Sequence, residues 1–470
     1  MGENAINAAA KENPLGYEPI GKLIRTFAIP SVVAFVISSL YNIVDQLFIG
    51  WGVGYLGNAA TNIIVPLTII MIALGLLIGD GAAAFIALNL GVGRKDRAAK
   101  GAGGAILMSV IVSVILTIVC SAFLTPLCRF LGATETVLPY AVDYGRIIVI
   151  GFVFALCDGS FAALMRADGR PRISMLGMVL GCITNFIFDP LFIFVFGWGV
   201  KGAAFATILG QIVNFAFFIF CMRRMKSFTL TKADVLKPEW KVNKKILTLG
   251  ISSFISQCAS VVVTVLMNRS LVKWGAASIY GADIALAVFG IVMKVNNLIC
   301  GIPIGIAGGS QPIYGFNYSS GQHDRVRKTL LTSWGIGTAI MVAAFFIYQL
   351  FPRQIIGIFG SESELYNQFA VLCFRIATAL IFLMPTSACI SIFFQAIGRP
   401  VQALGVSLCR QVLSLTPCVI ILPLFFGLNG LLAAMPAGDV GAAAVAFITF
   451  MIMRKKIFNV EAARKAAAVD

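Results

Sequence analysis

Four polar side chains stand inside long apolar runs of this sequence and could do chemistry there: Asp45, Asn185, Asp189 and Thr207. Ionisable groups in membrane-length apolar segments are costly and mark ion or substrate paths. Asn185 and Asp189 are four residues apart, on one face of a helix. Pro190, next to Asp189, lacks an amide and leaves the carbonyl of residue 186 without its helical donor. Two carboxylates with amide and hydroxyl oxygens suit proton exchange or a small cation such as Na+. The competing reading is an inter-helix hydrogen-bond network that only holds helices together.

For these residues to meet, the chain must cross a membrane many times. Its 470 residues are 59% hydrophobic and only 12% charged, where a soluble protein carries roughly 25% charged residues. Stretches such as residues 62–79 are continuously apolar, which excludes both a soluble globule and the alternating strands of an outer-membrane barrel. Charge and turn signals mark twelve helical spans near 28–50, 59–88, 101–124, 141–165, 172–195, 201–221, 247–271, 283–313, 328–351, 366–396, 401–426 and 430–453. Of 36 Lys and Arg residues, 27 fall at the two ends or after even-numbered spans, and four (Arg129, Lys201, Lys273, Arg353) fall on the opposite face. By the positive-inside rule both termini are expected in the cytoplasm. The net charge of +16 is then an orientation signal, and no nucleic acid partner is expected. With span directions set, Asp45, Asn185, Asp189 and Thr207 share one layer in the outer half of the membrane. The first 20 residues lack a signal-peptide core and cleavage site, so the expected product is a multi-pass protein of the inner or plasma membrane.

The longest polar stretch, residues 222–246, divides the chain into an N-lobe (1–221) and a C-lobe (247–470), a cytoplasmic linker lying between them. The halves echo each other. Gly169-Arg170-Pro171 recurs as Gly398-Arg399-Pro400, Asn89 with Gly93, Asp96 and Arg97 as Asn317 with Gly321, Asp324 and Arg325, and Arg146 as Arg375, at offsets of 228 or 229. Two parallel six-helix repeats around a central cavity follow, an all-α polytopic architecture. These repeated loops read as helix-turn devices.

No GxxxxGK[ST] loop is present, so ATP is not an expected partner. The single histidine, His323, reads as a solvated loop residue, which excludes histidine-based metal or Ser/His/Asp chemistry within the membrane. The 11 cysteines show no metal or CxxC spacing and read as free thiols. Asp80 and Asp158 lie in the cytoplasmic half and read as capping or ion-pairing groups. Lys294, Arg410 and Asp439 lie near mid-depth in the second lobe, either paired with one another or facing the cavity. Pro30 removes one helix hydrogen bond fifteen residues before Asp45 and makes bending easier there.

The motifs YNIVDQLFIG around Asp45, NFIFDP from Asn185 to Asp189, GAAFAT ending at Thr207, and GIAGGSQPIYGFNYSSGQ at 305–322 resemble the multidrug and toxic compound extrusion (MATE) family over nearly the whole chain. The resemblance, closer to its DinF-type branch, implies that Asp45, Asn185, Asp189 and Thr207 form an N-lobe proton or cation site, and that Pro30 is a bend point. The NorM-type branch uses acidic residues in spans 7 and 10. Here span 7 offers Gln257 and span 10 has no acid. The resemblance further implies a V-shaped cavity exporting amphipathic, often cationic, compounds, for which Gln257, Lys294, Arg410 and Asp439 are the candidate lining.

The resulting expectation is a monomeric secondary antiporter with no cofactor, driven by H+ or Na+ influx, exporting a small amphipathic cation by alternating access. The alternative is a flippase for a lipid-linked or anionic substrate, held by Lys294 and Arg410. An enzyme is not expected, since no nucleophile-base pair or metal cluster is evident. A channel would want a pore-lining ring in place of paired inner carboxylates.

Overall fold

The computed structural model describes residues 13–357 and 364–457. Lys11, Arg464 and Lys465, and with them the two chain ends used for the expected orientation, lie outside the described residues, as do the first twelve positions of the signal-peptide reading. The membrane-length helices are α1 (Ile20–Val53), α2 (Tyr55–Gly91), α3 (Lys95–Ala122), α4 (Leu138–Ala167), α5 (Pro171–Pro190) and α6 (Gly199–Met222). They continue as α7 (Trp240–Ala276), α8 (Gly281–Ser319), α9 (His323–Leu350), α10 (Glu364–Ala396), α11 (400–426) and α12 (428–457). Among the described residues there is no strand.

α11 and α12 are separated by Gly427 alone, whose φ of 57° and ψ of −137° break the helix. Unbroken, residues Pro400–Ile457 would span about 87 Å at 1.5 Å per residue, nearly three times the roughly 30 Å hydrocarbon core. Twelve spans result, each overlapping an expected one. Several helices outrun their expected bounds: α1 starts at Ile20 and α8 ends at Ser319. Polar residues mark where the membrane ends, but a helix whose amides are already paired continues into water.

Equivalent residues of the two repeats take equivalent conformations. Gly169 and Gly398 have φ of 80° and 78°, the left-handed state that ends a helix, and the following Pro171 and Pro400 open α5 and α11 at their first turns. Gly199 and Gly427 also match, at φ 55° and 57°. The duplication inferred from sequence offsets is thus present in the backbone.

The lobes join where α1 runs along α8 and α2 along α7, two contacts that exchange under the repeat relation. Small residues let the backbones touch. A Cβ at Gly309 of α8 would stand 2.7 Å from the Phe27 carbonyl oxygen, and its repeat mate Gly81 on α2 faces the Ile246 carbonyl in the same way. Gly315 likewise faces its own repeat mate, Ala87, whose Cβ would stand 2.8 Å from a Cβ placed on Gly315, so the pseudo-two-fold axis passes between them. One large core fills the first lobe around Phe152, Phe161 and Phe218, and two fill the second, around Phe374 and around Phe393.

The segment from α6 to α7 is not loose. Asp168 accepts hydrogen bonds from the amides of Lys226 and Ser227 at 2.8–2.9 Å, and Arg170 binds both Asp168 (2.6 Å) and the Cys221 carbonyl (3.2 Å). In the second repeat, Arg325 binds Asn317 Oδ1 (2.9 Å) and the carbonyls of Leu15 and Glu18. These motifs staple loops, as helix-turn devices should.

Gly250 lies against the Leu77 carbonyl, where any Cβ would collide with backbone. Gly250→Ala is therefore expected to destabilise the protein by about 1–3 kcal/mol, read as a lower melting temperature in detergent. Gly290→Ala, where a Cβ meets nothing within 4 Å, should melt as the wild type does.

Candidate functional site

Five first-lobe helices, α1, α2, α4, α5 and α6, surround a cavity of about 480 Å³. Its open side lies between α1 and α2, the helices that meet the second lobe, at the exposed residues Asn42, Val65 and Ile72. All but one of the four sequence-predicted residues line this cavity, and Asp189 joins them from behind. The amide of Asn185 donates to Asp189 Oδ1 at 3.2 Å and to Thr207 Oγ1 at 3.3 Å. The carboxyl groups of Asp45 and Asp189 lie within side-chain hydrogen-bonding reach of each other. Helix pitch explains the convergence: Asn185 and Asp189 share one face of α5, and α6 returns antiparallel to it with Thr207 level with Asn185.

The electrostatics follow from what these groups lack. Asn185 and Asp189 are 2% and 1% exposed, and Asp45 Oδ1, Asn185 Oδ1 and Asp189 Oδ2 are buried without a hydrogen-bond partner. None of the ion pairs formed by described residues involves Asp45 or Asp189. Two neighbouring carboxyls with unfilled lone pairs need a shared proton or a bound cation between them. The oxygen-only donor set, completed by the Thr207 hydroxyl, suits H+ or a hard cation such as Na+ and offers no nitrogen or sulfur ligand for a softer metal. Among the described residues there is no group of three or more His, Cys, Asp or Glu that could hold one.

One helical turn beyond each of three site residues, at Ile49, Ile193 and Ala203, a compact apolar cluster closes the cavity, backed by Phe48. Phe48 packs in turn on Phe186 and Phe194 at ring distances of 5.9 and 6.2 Å. The π-helical turn Leu191–Val195 that follows Pro190 aims Ile193 into this plug. Wider turns of this kind often occur at functional sites.

Sequence reading missed Tyr41, whose hydroxyl lies 3.5 Å from Thr207 Oγ1, as well as Gln211 and Asn214 on the cavity wall. Spacing could have found them. Tyr41 precedes Asp45 by four residues, and Thr207, Gln211 and Asn214 fall at i, i+4 and i+7, one stripe of α6.

The second-lobe candidates do not join this cavity. Arg410 lies in a π-helical turn, Cys409–Leu415, and pairs with Asp439 at 3.6 Å. Lys294 reaches across the lobes to Gln46 Oε1 at 3.4 Å instead of joining that pair. Gln257 is half-buried on α7, its backbone carbonyl accepting from Ser260. Pro30 is buried inside an otherwise continuous α1. His323 opens α9 half-buried, its ring 5.9 Å from that of Tyr318, where a solvated loop residue was expected. Asp80 pairs as expected, with Arg166 at 3.8 Å, and also accepts from Ser253 of the second lobe at 2.8 Å. Asp158, expected like Asp80 to cap a helix or pair with a basic group, has no cation partner among the described residues and lines the cavity.

The family model MatE matches residues 30–191 and 250–420, well over half of the chain. The multidrug export protein MepA of Staphylococcus aureus is 23% identical over 93% of this chain and 95% of its own length; that of Staphylococcus saprophyticus is 25% identical over 86% of each. Among solved structures, a MOP superfamily transporter from Pyrococcus furiosus is 25% identical, with a TM-score of 0.87 over 95% of this chain and 98% of that one. A multidrug resistance MATE family transporter in an outward-facing conformation matches with the same score and identity, over 94% and 97%.

Asp80 and Arg166 are each 19% exposed, so removing one partner strands the other charge at a cost of about 3–5 kcal/mol. Asp80→Asn should lower the melting temperature more than Asp80→Asn combined with Arg166→Gln, a double-mutant cycle in which additive losses would show that the pair is not coupled.

Proposed function

The chain belongs to the MatE family of membrane transporters, and we propose that it is a secondary antiporter that exports amphipathic organic cations against inward movement of H+ or Na+. It is a transporter and not an enzyme. The observation that carries the coupling reading is the set of three partnerless oxygens, Asp45 Oδ1 and Asn185 Oδ1 on the wall of the first-lobe cavity and Asp189 Oδ2 behind it. The named activity of the two staphylococcal relatives, multidrug export, supports the substrate class.

In this reading the ion loads between Asp45 and Asp189, with Asn185, Thr207 and Tyr41 completing the oxygen shell. Loading cancels a charge in a low-dielectric pocket, so the loaded and empty states favour different packings of α1 against α5 and α6. α1 carries that difference outward because the same helix lies along α8 of the other lobe. Pro30 lies on α1 between Asp45 and the Phe27 contact with Gly309, and its missing amide lowers the cost of a bend there. The lobes then reorient around the crossings at Gly81 and Gly309, which is the alternating access of a two-lobe transporter. The end of the bundle carrying the Gly-Arg-Pro turns faces the cytoplasm, both chain ends lie on that side, and one chain is the working unit.

A second reading, an anionic or lipid-linked substrate, is favoured by one observation. Lys294 is exposed and, among the described residues, hydrogen-bonded to the neutral Gln46 with no acidic partner, whereas Arg410 is already neutralised by Asp439.

The test is uptake of a fluorescent organic cation into proteoliposomes under an imposed pH gradient, then under an imposed Na+ gradient. Transport should follow one gradient and fall at least tenfold in Asp45→Asn and in Asp189→Asn, with both variants monodisperse. Full activity in both variants would refute the coupling site. Failure of the wild type under both gradients, with loss of lipid-linked substrate movement in Lys294→Gln, would favour the second reading.

A further inference from the structure

The cavity does not end at the Asp45–Asp189 pair. The apolar plug of Ile49, Ile193 and Ala203 closes it on one side; on the other its wall continues along α6 through Thr207, Gln211 and Asn214 to Asp158 of α4. Seven residues separate Thr207 from Asn214, about 10 Å along the helix. Asp158 is 8% exposed, Asn214 lies with it on the cavity wall, and among the described residues the Asp158 Oδ1 is buried without a hydrogen-bond partner. The Gln211 Oε1 between the two acidic stations is likewise buried without a partner.

We propose that Asp158 is a second proton-binding site of the first lobe, linked to the Asp45–Asp189 pair by the polar stripe Thr207, Gln211 and Asn214 and water in the cavity between them. This rests on the coupling reading above and adds a station to it. An ionised carboxylate at this depth with no cation beside it is costly, and a proton removes that cost. A metal ion would need about six or more oxygens, as hard cations take; here the carboxyl of Asp158 and the Gln211 Oε1 are the side-chain oxygens on the wall, since the Asn214 Oδ1 lies against Gly177 of α5. The proton is therefore the ligand that this site can hold, whichever ion the outer pair takes. The path runs along the side of α6 away from the plug, so a proton reaching Asp45 and Asp189 from the open cavity can pass to Asp158 through single-file water hydrogen-bonded to Gln211.

The other titratable groups of the cavity are Tyr41, Tyr144, Asp45 and Cys182, with Asp189 behind them, and Cys157 adjoins Asp158 on α4. None carries a positive charge that would hold Asp158 ionised.

The experiment is infrared difference spectroscopy of the purified protein, in which a protonated carboxyl gives a C=O band distinct from that of a carboxylate, combined with proton counting in proteoliposomes. The band should be present in the wild type, persist in Asp45→Asn with Asp189→Asn, and vanish when Asp158→Asn is added. Asp158→Asn alone should lower pH-gradient-driven transport at least fivefold without weakening dye binding, and Asp158→Glu should restore it. An unchanged carboxyl band in Asp158→Asn, or wild-type proton-driven transport by that variant, would overturn the proposal. If no gradient drives the wild type and the Asp158 band is nevertheless present, the site stands and the coupling reading fails.

Discussion

In the hydrocarbon core of a bilayer no water is available to complete a backbone hydrogen bond, and the architecture of this protein follows from that shortage. It forces the chain into helices, whose amides pair internally, with turns made by glycines of unusual φ at Gly169, Gly398 and Gly427 and a glycine-free interruption of α10 at 378–383. It also decides where chemistry can be kept. The first lobe leaves oxygens of Asp45, Asn185 and Asp158 short of partners along a cavity, and of Asp189 behind it. Other acids are spent on cations, hydroxyls or amides: Asp80 on Arg166 and Ser253, Asp439 on Arg410, Asp168 on Arg170 and two amides.

The duplicated scaffold and the unduplicated chemistry are therefore separate facts. The repeats agree in helix lengths, turn glycines and the exchange of the α1–α8 and α2–α7 contacts. The polar residues of the first-lobe cavity have no counterparts of the same kind. At the offset of 229 shared by the Arg and Gly-Arg-Pro motifs, Asn185, Asp189 and Asp158 correspond to Ser414, Cys418 and Ser387. Among the described residues the group of unpartnered acids lies in the first lobe alone.

The sequence by itself determined the membrane class, the twelve spans, the internal repeat and most of the acidic site, because each is written in local signals: apolar run length, turn glycines, equal offsets, and i, i+4 spacing of Asn185 and Asp189. The tertiary structure alone decided which polar groups have partners. Asp80 and Asp158 look alike in sequence, both acids in the same half of apolar helices. Packing gives Asp80 the guanidinium of Arg166 and turns Asp158 to the cavity beside Asn214. In the same way Lys294, placed beside Arg410 and Asp439 by depth, turns across the lobe boundary to Gln46, and Tyr41 enters the site through a hydroxyl on a neighbouring helix. The physical reason is that depth in the membrane follows from counting residues along one helix, whereas direction around the helix axis, and hence the partner, depends on how separate helices pack.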